Sequence, residues 1–186
     1  MTTVYFVRHA KPDFCAHDES RSLSIKGQED TELVCNFFLD KDIDIVASSP
    51  LKRAIETIKP FANLMNKEIE IYDGFKERIL ADYWIEDFDA IARKQWENFD
   101  YKLNSGESLR ETQRRNMAEL NKILERYKDK KIIIGSHGTS LSTIINYYDN
   151  DYGYEDFVKM KDLMPWIVKF VFDDKKLIEI EKIEII

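Results

Sequence analysis

Proline, glycine, cysteine and histidine are all scarce. The 186 residues hold four prolines, six glycines, two cysteines and three histidines. So few prolines and glycines argue against long disordered tracts. Cys15 and Cys35 read as free thiols of a reducing compartment. With no close ligand pair among the cysteines and histidines, no metal site is expected. Positive charge is also short, 28 Lys and Arg against 35 Asp and Glu, for a formal charge of -7. That balance argues against a nucleic-acid partner, which needs a basic face. It leaves room for a small anionic ligand, because a few local arginines outweigh a distant acidic surface. No long apolar run is present, so no transmembrane helix and no membrane partner are expected. No basic stretch leads into an apolar signal core, and the expected location is cytoplasmic. There is no internal repeat and no low-complexity segment.

What is present is a globular composition, 44% hydrophobic and 34% charged, over a length that suits one domain, 1–186. The chain opens on Val4-Tyr5-Phe6-Val7, a short β-branched and aromatic run that reads as a buried strand and leads straight into Arg8-His9. A polar loop follows, with His17 expected to be solvated. A helix is expected from Ser24 to about Asp40, with Leu33, Val34, Phe37 and Phe38 inward. Ile43 to Ala47 reads as a second strand. Ser49 is expected to cap the next helix, with Pro50 at its first position and Arg53 in its first turn. Ile69 and Ile71 mark a third, shorter strand.

The stretch from Phe75 to Ser105 is the least regular and reads as a lid-like insertion at about 78–105, with one helix from Ile85 to Phe99. Its aromatic residues suit contact with an organic moiety. Its acidity is expected to disfavour very highly phosphorylated substrates. Ser108 and Glu111 form a capping box for a long helix with Met117, Leu120, Leu124 and Tyr127 on its buried stripe. Ile132-Ile133-Ile134 is the fourth strand, ending in Gly135-Ser136-His137-Gly138, with a helix from about Ser140 to Tyr147. Trp166 to Phe172 and Leu177 to Ile186 read as a C-terminal antiparallel hairpin, Ile178 and Ile180 sharing one face. The expected fold is α/β, a three-layer α/β/α sandwich with a mostly parallel sheet.

Alone, Arg8-His9 is a weak signal, since a solvated arginine beside a packed histidine is the simpler reading. Arg53, likewise, could lie along a surface helix. If the first, second and fourth strands are parallel neighbours, however, Arg8, His9, Arg53 and His137 meet over one sheet edge, where open α/β sheets bind ligands. Helix N-termini near Leu51 and Thr139 would then point at the same place. That is a phosphate site. Glu77 is the best placed carboxylate to protonate a leaving oxygen, with Asp73 and Asp82 as rivals.

Six stretches in this order resemble the histidine phosphatase superfamily, also called phosphoglycerate mutase-like: Arg8-His9-Ala10, Leu23-Ser24-Ile25-Lys26-Gly27, Ser48-Ser49-Pro50-Leu51-Lys52-Arg53-Ala54, Phe75-Lys76-Glu77, Gly106-Glu107-Ser108 and Ser136-His137-Gly138. The resemblance implies a phosphatase of small phosphorylated metabolites with no metal or other cofactor. It makes His9 the nucleophile, through a phosphohistidine, and Glu77 the proton donor. Arg8, Arg53 and His137 would hold the phosphoryl oxygens, with Gly138 beside them. Ser24 reads as a helix cap first and a phosphate ligand second. Ala10 stands where the family has glycine, Cys15 falls where many members have an asparagine that contacts phosphate, and Arg78 follows Glu77 in place of the Tyr-Gly of the mutases. A mutase-type phosphotransfer and a non-catalytic phospho-ligand binder are the alternatives. Monomer and homodimer both remain open, since an edge strand in the hairpin would permit pairing.

Overall fold

The computed structural model describes residues 1–15, 20–83 and 85–185. His17 and Trp84 therefore lie outside the described residues. Six strands form one sheet in the order β3-β2-β4-β1-β5-β6. The strands β1 (Thr2–Arg8), β2 (Ile45–Ser48), β3 (Ile69–Ile71) and β4 (Lys131–Ser136) are parallel. Of the remaining two, β5 (Trp166–Asp173) pairs antiparallel with β1, and β6 (Lys176–Ile183) pairs antiparallel with β5.

Alternation along β1 divides the core. Val4 and Phe6 pack with α4 (Leu109–Arg126), α5 (Gly138–Tyr148) and α6 (Tyr154–Met160) on one side. Tyr5 and Val7 pack with α1 (Ile25–Phe38) and α2 (Lys52–Leu64) on the other. Phe6, Phe38, Phe61 and Phe170 are essentially fully buried, each contributing about 2–3 kcal/mol from burial alone. Of the apolar residues expected inward on α1, Val34 and Phe38 are buried, Phe37 is half-buried and Leu33 stays exposed.

Local signals place several elements. The Ser108 hydroxyl accepts from the Glu111 amide at 3.1 Å and Glu111 accepts from the Ser108 amide at 2.9 Å, the reciprocal cap that starts α4. Ser24 caps α1, accepting from the Gly27 amide. Gly27 itself answers to close packing: a Cβ there would lie 2.1 Å from the Lys11 carbonyl oxygen.

Other boundaries move. The helix expected from Ile85 begins later, as α3 (Phe88–Glu97), because Asp87 caps it by accepting from the Ala90 amide. Helix α5 begins at Gly138, two residues before Ser140. The short helix α6 is a further element, holding Phe157 and Met160 in the core. In the hairpin, Val171 faces Glu179 but Phe172 faces Leu177. Ile178 is thus the extra residue of a bulge and is 52% exposed, while Leu177 and Ile180 pack on the core.

Candidate active site

The parallel register builds the site. Arg8 pairs with Ser136 across β1 and β4, and the His9 amide donates to the Ser136 carbonyl at 3.1 Å. One residue beyond, the rings of His9 and His137 lie 5.3 Å apart. From the far side of β4, the Ser49 amide donates to the Gly135 carbonyl at 2.9 Å. Both histidines, Arg8 and Arg53 are buried at this edge.

The His9 imidazole has a defined tautomer. Its Nδ1 lies 2.8 Å from the Ala10 carbonyl oxygen. A carbonyl only accepts, so the proton sits on Nδ1 and Nε2 keeps a bare lone pair. Burial holds the His9 pKa well below the ordinary value, and Arg53 and Arg8 push it further the same way. Ala10 is fully buried, and its amide donates to the Thr57 hydroxyl at 3.0 Å.

Burial and Arg53 hold His137 neutral as well. Its Nε2 lies 2.6 Å from the Ser49 hydroxyl, whose oxygen already accepts from the Leu51 amide at 3.3 Å. The bond to Ser49 occupies Nε2 and leaves the other ring nitrogen, Nδ1. That atom is buried with no partner among the described residues. The serine expected to cap α2 is thus committed to His137. The N-cap of α2 is Leu51, which makes no side-chain capping bond.

Two buried neutral histidines make stability depend on pH. In the unfolded chain both take up protons near pH 6.5, and in the folded chain they resist. Their contribution is intact above about pH 6.5 and declines below it, by up to about 1.4 kcal/mol per pH unit for each histidine. Urea unfolding between pH 7.5 and 5.5 should show this decline, and a flat profile would contradict neutral burial.

The buried Arg8 guanidinium is oriented by the end of α6. Its Nη1 donates to the carbonyls of Met160, Lys161 (3.1 Å) and Leu163 (2.8 Å). Burial pulls Arg8 down to about 10, with Glu77 opposing. Nε is buried with no partner among the described residues. Gly138 makes this placement possible: a Cβ there would stand 3.1 Å from Arg8 Nε. Arg53, from the first turn of α2, is 3% exposed, and it is no surface side chain.

Glu77 departs from expectation in an informative way. Its carboxylate accepts from the Thr139 and Ser140 amides at 3.0 and 3.1 Å. The N-terminus of α5, expected to face an incoming anion, holds Glu77 instead. Arg115 on α4 pins the loop from behind, donating to the carbonyls of Gly74 (2.8 Å), Lys76 (2.6 Å) and Glu77 (3.1 Å). It also forks onto Glu107 at 2.8 and 2.9 Å.

These groups line one cleft of about 510 Å³, an ordinary size for a small-molecule site. Arg8, His9, Arg53, Glu77 and Gly138 all face it, joined by Arg21, Arg78 and Lys161. Ser24 and the buried His137 are not among the lining residues; Ser24 spends its hydroxyl on the Lys11 carbonyl at 3.0 Å. Cys15 is exposed and outside the lining. Of the rival carboxylates, Asp73 is paired with Lys76 and Asp82 is exposed, and neither lines the cleft.

The 78–105 segment contributes Arg78, Leu80, Tyr83, Ile85 and Phe88 to the lining. Trp96 turns away and packs on Phe99, Tyr152 and Phe157. Glu86, Asp87 and Asp89 from this segment are exposed and outside the lining. The acidity read from the sequence therefore faces solvent while the cleft is cationic, which removes the ground for excluding substrates with several negative groups. Ser49, Arg78 and Arg115 were not legible as site residues. Only the paired serines before Pro50 carried a local signal, and it pointed to a helix cap. Among the described residues no three His, Cys, Asp or Glu side chains gather as metal ligands.

Fold and site define an α/β protein with a cationic cleft at the carboxyl edge of its parallel strands. The chain matches the family model of the histidine phosphatase superfamily (branch 1) over residues 4–177, and it belongs to that superfamily. It is 27% identical over 150 residues to the uncharacterized phosphatase PhoE of Bacillus subtilis (strain 168), covering 78% of this chain and 76% of the relative. It is 22% identical over 158 residues to putative phosphoserine phosphatase 2 of Hydrogenobacter thermophilus, covering 78% and 77%. The fold is shared with phosphoserine phosphatase from Entamoeba histolytica, solved with 3-phosphoglyceric acid, at TM-score 0.79 and 22% identity over 96% and 94% of the two chains. Bacillus stearothermophilus YhfR matches at TM-score 0.78 and 19% identity over 95% and 94%.

Proposed function

We propose that this protein hydrolyses phosphomonoesters of a small metabolite through a covalent phosphohistidine on His9. The observation that carries the proposal is the His9 tautomer. The Ala10 carbonyl accepts from Nδ1–H, and the bare Nε2 lone pair belongs to a neutral imidazole beside buried arginines. Kinship with phosphatases supports the same reading.

In the first step Nε2 attacks phosphorus, an N–P bond forms and the P–O bond to the alcohol breaks. Arg8 and Arg53 balance the charge on the transferring phosphoryl group. His137, whose ring lies 5.3 Å from that of His9, supports the same group from behind. Glu77 gives its proton to the leaving oxygen. In the second step Glu77, now a carboxylate, takes a proton from water, which attacks phosphorus and releases inorganic phosphate and a neutral His9. Because the arginines supply the positive charge, the cycle calls for no metal ion.

Phosphate release from an aryl phosphate and a panel of metabolite phosphates tests this, run with EDTA present. Release should survive chelation. Loss on chelation, restored by adding a divalent metal, would overturn the metal-free cycle, and no release from any compound by folded protein would overturn the activity.

A further inference from the structure

We propose that Arg115 is a positioning residue for proton transfer: with Glu107 it fixes the loop that carries Glu77, and through that loop the place of the carboxylate at the leaving oxygen. The inference rests on the phosphatase reading and adds to it a residue that touches no substrate.

Glu77 needs support from outside its own segment. Residues 76–83 belong to no helix or strand, so their backbone groups must find partners elsewhere. Arg115 supplies them on one side of Glu77. Its Nη1 serves the carbonyls of Gly74 and Lys76, and its Nη2 serves that of Glu77 itself. The other edge of the guanidinium forks onto Glu107. Glu107 in turn holds the other side. Its Oε2 accepts from the Ile79 amide at 3.0 Å, and its own amide donates to the Ile79 carbonyl at 2.7 Å. The pair therefore brackets Glu77 from before and after. A Cβ on Gly106 would lie 2.0 Å from the Leu80 carbonyl oxygen, so the turn before α4 is packed directly on this loop.

The bracket stands on a rigid element. Helix α4 carries Arg115 and buries Leu120, Ile123 and Leu124 almost completely. Gln113 on the same helix donates to the Thr143 carbonyl at 2.9 Å, which ties α4 to α5. Ser140 of α5 adds a bond from its hydroxyl to the Lys76 carbonyl at 2.6 Å. The loop and the amides that receive the Glu77 carboxylate are thus referred to one helix. A proton donor must lie within hydrogen-bond reach of its acceptor, and a misplacement of about 1 Å can cost about 10²-fold in rate. Arg115 does not line the cleft, so it has no phosphate contact to lose. Its charge does reach His137. Arg115→Lys, which keeps the charge and loses the planar fork, separates position from charge.

The test compares kcat/KM for an alkyl phosphate and for dinitrophenyl phosphate. A general scaffold defect lowers both alike, whereas a misplaced proton donor harms the poor leaving group. Arg115→Met should lower the alkyl phosphate value about 10 to 10²-fold and the dinitrophenyl phosphate value by about threefold or less. Arg115→Lys should show the same selective pattern at about tenfold, and it carries the comparison if Arg115→Met does not fold. Added to Glu77→Gln, either substitution should cost about threefold or less further, since the group it places is already gone. Equal falls for the two leaving groups, full additivity with Glu77→Gln, or Arg115→Lys at the wild-type rate would each overturn the positioning role. If Glu77→Gln itself harms both leaving groups equally, the proton-donor reading fails and takes this inference with it. No phosphate release by wild type from either compound would overturn the phosphatase reading and the inference together.

Discussion

Replacing His9 by alanine should lower phosphate release by roughly 10⁴ to 10⁶-fold, the loss typical when a covalent nucleophile is removed. The site offers no substitute. His137 lies next to His9, but its Nε2 is held by Ser49 and its Nδ1 is buried. Arg8 and Arg53 remain in place, so the variant should still bind a phosphorylated ligand while failing to turn it over. Two measurements separate this from simple damage. Wild type mixed with labelled substrate and quenched in base should carry an acid-labile phosphoryl group that His9→Ala lacks. Thermal stabilisation by substrate should survive in the variant. Unchanged phosphate release in His9→Ala would show that another group is the nucleophile.

Glu77→Gln should lower kcat/KM for an alkyl phosphate by about 10² to 10⁴-fold. The glutamine keeps one acceptor oxygen for the α5 amides but replaces the other with an NH₂ group. That group faces a donor, since both Thr139 and Ser140 present N–H to the carboxylate. Some loss of stability should therefore accompany the loss of rate, and rate alone would not identify a proton donor. The leaving group does. An alkoxide needs a proton as the P–O bond breaks, while dinitrophenolate scarcely does. For dinitrophenyl phosphate the fall in kcat/KM should stay within about tenfold, because that parameter reports the phosphorylation step. Equal falls for both leaving groups would make Glu77 a structural brace of α5 and its loop.

The sequence signals that held were those whose partners are near in the chain or repeat along it. The capping box of Ser108 and Glu111 spans three residues, and the structure closes it as read. The apolar runs of β1 and β4 are short, bounded and β-branched, so they read as strands in any context, and the sheet pairs them in parallel. The order of the motif blocks carried the family. Where a residue had two possible partners, the local one was the natural choice and was sometimes wrong. Ser49 sits where a helix cap belongs, yet its hydroxyl bonds a histidine 88 positions away. Helix α6 has only seven residues, too few for a periodic pattern to stand out from the acidic stretch around it.

The amino-acid sequence by itself determined the α/β class, the strands of the parallel sheet and the candidates for chemistry, because periodicity, capping and residue type are local properties. Tertiary structure alone decided how those residues are poised. Three carbonyls at and just beyond the end of α6 turn Arg8, more than 150 positions away in the chain. The α5 amides hold Glu77 from 62 and 63 positions away. Gln95 accepts from the buried Arg78 guanidinium 17 positions away. Each depends on backbone groups that every residue possesses, or on a buried neighbour that packing alone selects, so no residue type announces them in advance.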